Sequence, residues 1–348
     1  MTKISVRPVD HCCETKEFLG ILQANLPDLF HARRFDWLYR GNPDGPPWSW
    51  FVWEGMPDHV VGVTSLFPRS MWVGEKLERC GQVGDFAISA SHRSLGPALL
   101  LQRATFCPVD REELAFCYDC PPHEAGMSTF RRLGIRPNCE INRYALPLRV
   151  DRLMRKRLGA ASAIPAATTN LLLRLHRRSV LKSRMSGLEV SAHTGAFGEE
   201  FSQLDASVKK TDVIRGRRTA ALLNWRYRED PLHQYQVLTA RRRGELVAFA
   251  IVCATSEVVT IVDLFGAELQ EAAIILLAAI VEYFKGAWQS VEAYLAPENE
   301  LIGTLLKTGF RLRSRSAQVV AYARPQSEMA GFLQGSPIWA FSQAELLS

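Results

Sequence analysis

The sequence predicts an α+β protein made of two similar halves in tandem. Its 348 residues are enough for two domains, each with its own core. Apolar runs of strand length alternate with helix-like segments and turn signals over residues 1–148. The pattern Trp-x-Tyr-x-x-x-Pro begins at Trp37 and returns with the same spacing at Trp225. We therefore expect a first domain at 1–150, a linker at 151–187, a second domain at 188–325 and a C-terminal tail at 326–348.

The elements of the first half follow from its hydrophobic periodicity and its turn residues. Helices are expected at Phe18–Phe30, from the Arg93 loop to about Phe106, and at Ser128–Leu133. Strands are expected at Trp50–Trp53, Val60–Leu66, Gln82–Ser89, Glu113–Tyr118 and through Tyr144. In the second half, the apolar stretch Ala272–Val281 lies between two glutamates and is too short to span a bilayer, so it predicts a buried helix.

One stretch of the first half has the pattern of an anion-binding loop. The apolar run Phe86–Ile88 ends at small residues, and Arg93-x-x-Gly96-x-Ala98 then opens a leucine-rich helix. A strand that turns into a helix presents unpaired N–H groups and the positive end of the helix dipole. Gly96 lets a ligand approach the backbone closely, and Ala98 keeps the first turn free of bulk.

On Arg93, Gly96 and Ala98 the chain resembles the GNAT superfamily of acyl-CoA-dependent N-acyltransferases, whose signature is Arg/Gln-x-x-Gly-x-Gly/Ala. The resemblance implies a three-layer α/β unit in each half, with a mixed central sheet flanked by helices. It also implies acyl-CoA as co-substrate, with the loop amides on its pyrophosphate and a strand amide near its thioester. The implied binding residues are Ala87, Ile88, Arg93, Ser94, Leu95, Gly96 and Ala98.

The second half lacks this loop. Asp263 corresponds to Asp85, but the residues after it include Glu268 and Glu271, and no Arg-x-x-Gly-x-Gly/Ala pattern follows. Carboxylates at this place would repel a pyrophosphate. We therefore expect coenzyme A to bind only the first half, while the second half packs against it and shapes the acceptor site. Tandem arrangements of this kind are known in the superfamily.

Acyl transfer to an amine needs a group that accepts the amine proton. Asp85, at the head of the strand before the loop, is the first candidate, although Asp263 recurs without a loop and the carboxylate could serve only to fix a turn. His123 and Glu124 are further candidates. They follow Pro121-Pro122 after the next predicted strand, where the resemblance implies the acceptor cleft.

The leaving thiolate can also take up a proton from a nearby acid. Tyr144 and Tyr118 are the candidates, although strand aromatics usually pack in a core. No metal site is predicted, because Cys117-x-x-Cys120-x-x-His123 has no clear fourth ligand. The eight cysteines are expected to be reduced thiols of a cytoplasmic protein, since the N-terminus does not resemble an export signal.

The positive charge is concentrated in one segment. Residues 151–187 hold nine Lys/Arg and one acid, a net of +8 (9 − 1), which leaves the rest of the chain near −2 (6 − 8). This distribution argues against a nucleic-acid partner and for one local anionic partner. Basic and apolar residues interleave in the segment, which is either a solvated linker or a helical pair on an anionic membrane surface.

The acceptor expected on these grounds is a primary amine, and the basic apolar linker favours a lipid-like or membrane-presented one such as a sphingoid base. One alternative is an acetyl-CoA-dependent enzyme acting on an amino sugar or another small soluble amine. The other is a non-catalytic protein that binds coenzyme A or serves as a scaffold. The expected location is cytoplasmic, with peripheral attachment to the inner membrane if the linker binds lipid.

We predict that the protein co-sediments with anionic vesicles at low salt. Each basic residue near such a surface contributes about 1 kcal/mol. Added salt, and replacement of Arg174, Arg177, Arg178 and Lys182 by Gln, should weaken the binding. Vesicles of uncharged lipid are the control. Wild-type protein that stays in the supernatant at low salt would assign residues 151–187 to a linker and favour a soluble acceptor.

Overall fold

A computed structural model describes residues 4–27, 32–55, 59–93, 95–121, 124–149, 187–284 and 288–346. The strands are β1 Ile4–Pro8, β2 Trp48–Glu54, β3 His59–Val73, β4 Lys76–Ile88, β5 Phe116–Asp119, β6 Pro137–Pro147, β7 Leu188–His193, β8 Val213–Gly216, β9 Tyr235–Arg242, β10 Glu245–Ala254, β11 Val258–Gly266, β12 Ser290–Leu295, β13 Arg311–Tyr322 and β14 Ile338–Trp339. The helices are α1 Thr15–Asn25, α2 Ala32–Phe35, α3 Leu95–Asp110, α4 Glu124–Arg132, α5 Glu199–Ser207, α6 Ala220–Tyr227, α7 Leu269–Tyr283, α8 Leu301–Lys307 and α9 Glu328–Gln334. A π-helical turn, Asp36–Arg40, continues α2.

All the strands belong to one 14-stranded mixed sheet, and its order reads the same from both ends. The main path is β1-β2-β3-β4-β5-β13-β6-β12-β11-β10-β9-β7. Strands β1–β6 correspond, in order, to β7, β9, β10, β11, β12 and β13. When each strand is replaced by its counterpart, the path becomes the same path in reverse. We call β1–β5 with α1–α4 the first unit, and β7 and β9–β12 with α5–α8 the second unit. The predicted tandem duplication is confirmed.

The two units exchange their last strands. β6, which belongs to the first half of the sequence, pairs with β12 of the second unit, with Tyr144 opposite Ala293. β13, from the second half, pairs with β5 of the first unit, with Val320 opposite Asp119. β6 and β13 also pair with each other at the centre. Each half of the chain therefore completes the sheet of the other, an exchange that the sequence prediction did not contain.

Helices cover both faces of the sheet in each unit, as the three-layer prediction requires. Alternate residues of β2 point to opposite faces, so that Val52 packs with α3 and α4, while Phe51 packs with α1 and α2. In the second unit α7 and α8 cover one face, and α5 and α6 cover the other. The predicted buried helix Ala272–Val281 is confirmed within α7, which has seven buried residues.

The repeated Trp-x-Tyr pattern forms the contact between the two units. The indole rings of Trp37 and Trp225 are stacked, with centroids 5.0 Å apart. Trp37 Nε1 donates to the carbonyl of Trp225 at 2.7 Å, and Trp225 Nε1 donates to the carbonyl of Trp37 at 2.9 Å. The two copies of the pattern thus satisfy each other's buried polar groups.

The C-terminal segment, predicted as a tail, is folded as far as residue 346. It forms α9 and β14, and the side chains of Trp339 and Phe341 are fully buried. A capping box between Ser342 and Glu345 closes its last turn. The carbonyl of Glu345 accepts hydrogen bonds from Tyr118 Oη at 3.1 Å and Gln82 Nε2 at 3.0 Å, so this segment is anchored to the first unit.

We predict that Trp37→Phe lowers the free energy of unfolding by about 1–3 kcal/mol, because it leaves the buried carbonyl of Trp225 without a donor. Denaturant unfolding measures the change. Trp288→Phe is the matched control, since its indole donates to the exposed carbonyl of Thr255, where water can replace the lost bond. Equal losses in both variants would show that the reciprocal hydrogen bonds of Trp37 and Trp225 contribute no more to the free energy of unfolding than an exposed one.

Candidate active site

The first unit opens between β4 and β5. The two strands are parallel and pair only over Cys80–Gln82 and Phe116–Tyr118. Beyond this point β4 continues to Ile88 while β5 ends at Asp119. Among the described residues, the edge of Val83–Ile88 that faces β5 has no strand partner. Unpaired backbone groups of this kind can hydrogen-bond to an extended ligand.

A β-bulge lies in β4 beside this opening. Ser65 is opposite Gly84 and Val63 is opposite Ala87, so that two residues of β4 face one residue of β3. The first of the two is Asp85, with φ of 49°, a left-handed conformation that is rare for residues other than glycine. Bulges turn the backbone groups that follow them, and here these belong to Ala87 and Ile88.

The carboxylate of Asp85 is buried and fully engaged. Arg34 donates to both of its oxygens, Nη1 to Oδ2 at 3.0 Å and Nη2 to Oδ1 at 2.9 Å. Tyr39 Oη donates to Oδ2 at 2.7 Å. Three hydrogen bonds from two side chains hold the carboxylate in place inside the protein. This environment favours the turn-fixing alternative over the role of a base.

The predicted anion-binding loop follows directly. The N–H of Ser89 donates to the carbonyl of Val61 at 2.8 Å, and a 3₁₀ turn, Ala90–His92, leads to Arg93. Arg93 Nε donates to the carbonyl of Ile88 at 3.3 Å, while the rest of this exposed side chain extends from the loop. The predicted Ser94 lies outside the described residues.

Helix α3 begins at Leu95, so the loop ends at a helix N-terminus as predicted. The side chain of Leu95 lies outside the described part, and Ala98 is half-buried. A Cβ built on Gly96 would meet no heavy atom within 4 Å, whereas one on Gly62 would come within 2.7 Å of the carbonyl oxygen of Ala87. Gly62 is thus required by strand packing, but nothing in the protein itself requires a glycine at position 96. The open space at the helix start leaves room for a ligand.

Two other predicted catalytic residues, Glu124 and Tyr144, have surroundings that do not suit proton transfer at the opening. Glu124, at the start of α4, is exposed and forms an ion pair with Arg131, which lowers the pKa of the carboxyl group. Tyr144, carried away by the strand exchange, lies in the core that β6 shares with the second unit. His123 lies outside the described residues.

Sequence reasoning missed Asp119, the last residue of β5. Its carboxyl group lies where β4 and β5 diverge, and burial raises its pKa to about 7. Burial, with a smaller contribution from the charge of Asp119, raises the pKa values of the neighbouring thiols of Cys117 and Cys120. No described residue forms an ion pair with it. The signal available in the sequence was its position at a strand end, directly before Cys120 and Pro121.

Tyr118, the other sequence candidate on β5, faces the C-terminal segment. Its hydroxyl donates to the carbonyl of Glu345, and burial raises its pKa well above the ordinary value. The group is therefore protonated at neutral pH. Its proton, however, is already engaged in a buried hydrogen bond, so it can serve the thiolate only if that bond is broken.

The second unit repeats the strand opening, because β11 and β12 are parallel, pair only over Val258–Ile261 and Ser290–Ala293, and β11 then continues to Gly266. What differs is the connection that follows. Its strand β11 carries Asp263, held by Arg218, but the connection from Asp263 to α7 is shorter than that from Asp85 to α3. Arg242 forms ion pairs with Glu268 at 2.7 Å and Glu271 at 2.8 Å where the anion loop would lie. The cavity next to Asp263 has a volume of about 40 Å³, which is far below that of an ordinary ligand site.

A cleft of about 720 Å³ lies at the other end of β4, next to the β3–β4 hairpin and the end of α3. Glu78 lines it, and nine residues of extended strand place Ala87 roughly 30 Å away. It contains no part of the Arg93 loop. We therefore do not assign the predicted anion site to it.

In the part of the chain that the structure describes, no three His, Cys, Asp or Glu side chains gather as metal ligands would. No helix in the same part is both long and apolar enough to cross a bilayer.

Comparison with solved structures identifies the fold as that of the GCN5-related N-acetyltransferases, here in tandem. A probable N-acyltransferase of unknown function from Enterococcus faecalis matches with a TM-score of 0.66 and 11% identity, covering 92% of this chain and 72% of its own. A GCN5-related N-acetyltransferase from Anabaena variabilis matches with a TM-score of 0.65 and 12% identity, with the same coverage of both chains. Eis1 from Mycobacterium abscessus matches with a TM-score of 0.58 and 10% identity, covering 92% of this chain and 74% of its own.

Neither a protein-family model nor a curated protein matches the sequence. The likeness is thus one of fold, and it confirms the GNAT architecture expected from the Arg93 motif.

Proposed function

We propose that this protein transfers an acyl group from acyl-CoA to the nitrogen of a primary amine. The observation that carries the proposal is the asymmetry between the two units. The strand opening and a bulge occur in both units, but the left-handed aspartate and the longer loop before a helix N-terminus occur together in the first unit. In the second unit ion pairs occupy the corresponding loop.

Coenzyme A is expected to bind along the opening. Its pyrophosphate lies at the start of α3, where free backbone N–H groups and the helix dipole favour an anion. Arg93 adds a positive charge, and Gly96 leaves room for the phosphates. The pantetheine arm extends along the unpaired edge of Val83–Ile88, and the thioester carbonyl comes to a backbone N–H next to the bulge, near Ala87 or Ile88.

Asp119 is the residue that we assign as general base. The amine nitrogen attacks the thioester carbon, the carbon–sulfur bond breaks, and the carboxylate of Asp119 takes up the proton that the amine loses. A pKa of about 7 suits a base that works near neutral pH. Asp85, whose carboxylate is held by hydrogen bonds from Arg34 and Tyr39, takes the role of a positioning residue instead.

For the acceptor we propose a lipid-like or membrane-presented amine, of which a sphingoid base is one example. The support is the concentration of nine basic residues among leucines in residues 151–187, which would hold the enzyme at the anionic inner leaflet. An amino sugar or another small soluble amine is the alternative, and the vesicle experiment separates the two.

The pH dependence tests the base. Because Asp119 must be ionised to accept a proton, kcat/KM should fall about tenfold per pH unit below about 7 and level off above it. Asp119→Asn should lower kcat about a hundredfold or more and remove this inflection. Asp212→Asn, at an exposed position of the second unit, is the control. A full rate in Asp119→Asn, or an unchanged inflection, would assign the base elsewhere.

Coenzyme A binding tests the loop. Gly96→Asp places a side chain and a negative charge in the space meant for the pyrophosphate, so calorimetry should show at least a tenfold loss of affinity. Gly20→Asp is the matched control, because its added Cβ on α1 also meets nothing within 4 Å. Unchanged affinity in Gly96→Asp, or an equal loss in both variants, would refute the assignment of the loop.

A further inference from the structure

A buried hydrogen-bonded chain runs from His11 to the bulge of β4. His11 Nε2 lies 2.8 Å from Ser49 Oγ, which lies 2.8 Å from Ser65 Oγ. Ser65 Oγ lies 3.0 Å from Tyr39 Oη, and Tyr39 Oη lies 2.7 Å from Asp85 Oδ2. Except for His11, which is half-buried, all of these side chains are at least nine-tenths buried. The chain thus joins four separate segments of the first unit to one carboxylate.

The direction of every hydrogen bond in this chain is fixed by Asp85. Both oxygens of Asp85 accept hydrogen bonds from Arg34, and Tyr39 donates its single hydroxyl proton to Oδ2. Ser65 then has to donate to Tyr39, and by the same reasoning Ser49 donates to Ser65. His11 must therefore donate from Nε2, and its buried Nδ1 has no hydrogen-bond partner within the described part of the chain. Successive donors pointing the same way polarise one another and strengthen the last bond of the chain.

The second unit provides an internal comparison. It retains the ion pair, with Arg218 donating to both oxygens of Asp263, and so the pair itself belongs to the common architecture. Tyr227 corresponds to Tyr39 in the repeated pattern, but its buried hydroxyl has no hydrogen-bond partner among the described residues. Asp263 is also not left-handed, whereas Asp85 is. A bulge itself is shared, since Val262 is an extra residue in β11 next to Asp263. Among the described residues, the hydrogen-bonded chain and the left-handed aspartate occur together only in the unit that has the Arg93 loop.

We propose that Tyr39, Ser65, Ser49 and His11 are positioning residues for acyl transfer, which hold the Asp85 bulge in its left-handed form. This inference rests on the function proposed above. Without the bond from Tyr39, only the bidentate contact to Arg34 would restrain Asp85, as in the second unit, where the corresponding residue is not left-handed. The bulge would relax, and the backbone N–H groups of Ala87 and Ile88 would lose their alignment with the thioester carbonyl.

Tyr39→Phe tests the proposal, because it removes only the hydroxyl and keeps the ring that stacks on Phe35 with centroids 4.5 Å apart. Tyr227→Phe is the matched control, since it removes a buried hydroxyl that makes no hydrogen bond to the described residues. We expect kcat to fall about tenfold in Tyr39→Phe, with the KM for acyl-CoA within about twofold of wild type, because the loss is confined to the transition state. Tyr227→Phe should leave both constants unchanged.

Amide hydrogen exchange of residues 84–88, followed by mass spectrometry, gives a second measurement that needs no turnover. It should be faster in Tyr39→Phe and unchanged in Tyr227→Phe. Ser49→Ala, which breaks the chain two bonds further from Asp85, should change kcat and exchange in the same direction by less. This variant also keeps the test decisive if Tyr39→Phe does not fold.

Equal behaviour of Tyr39→Phe and Tyr227→Phe would overturn the inference. So would a lowered melting temperature of Tyr39→Phe with unchanged kcat and unchanged exchange at residues 84–88, because the chain would then serve stability alone. If wild-type protein transfers no acyl group to any amine tested, the proposed function fails. The exchange comparison would still decide whether the chain holds the bulge.

Discussion

The pairing of β6 with β13 at the centre of the sheet is the interaction on which the rest of the structure depends. It inserts the last strand of each half between strands of the other and produces one continuous sheet. Neither unit can complete its sheet alone, because β5 would be left without β13 and β12 without β6. The stacked pair Trp37 and Trp225 adds a second contact with the same symmetry. The two units therefore depend on each other for a complete sheet and are not independent modules.

Within this symmetric frame, the two units differ most in the connection that follows the aspartate strand. Both keep an aspartate held by a buried arginine, and in both a backbone N–H four residues later donates back to the neighbouring strand, from Ser89 to Val61 and from Ala267 to Val247. After that point the first unit forms an exposed loop and a helix start with open space, while the second places ion pairs there. The aspartate–arginine pair and the backbone hydrogen bond thus fix the end of the strand in both units. The residues between this strand and the next helix leave room for a ligand in the first unit and are filled by ion pairs in the second.

The candidate site shows which residues a sequence motif can identify. Arg93, Gly96 and Ala98 could be proposed from the sequence because the pattern of an anion-binding loop is local and depends on neighbours in sequence. Proton-transfer groups were harder to find, since their suitability depends on burial and on partners from distant segments. Asp85 looked available but is engaged by Arg34 and Tyr39, while Asp119 looked ordinary until its buried position raised the pKa of its carboxyl group. Tyr144 lies on β6, which the strand exchange pairs with β12 of the second unit.

The sequence alone determined the two repeats, the α+β class, and the presence of the Arg-x-x-Gly-x-Ala pattern in the first half but not in the second. These depend on periodicity and on short spacings, which act within a few residues of chain. Tertiary structure alone decided that β6 and β13 change places, that the C-terminal residues through Leu346 fold between the units, and that a hydrogen-bonded chain connects His11 to Asp85. All three arise from contacts between residues far apart in sequence, and no local pattern records which distant partner a strand or a hydroxyl group will meet.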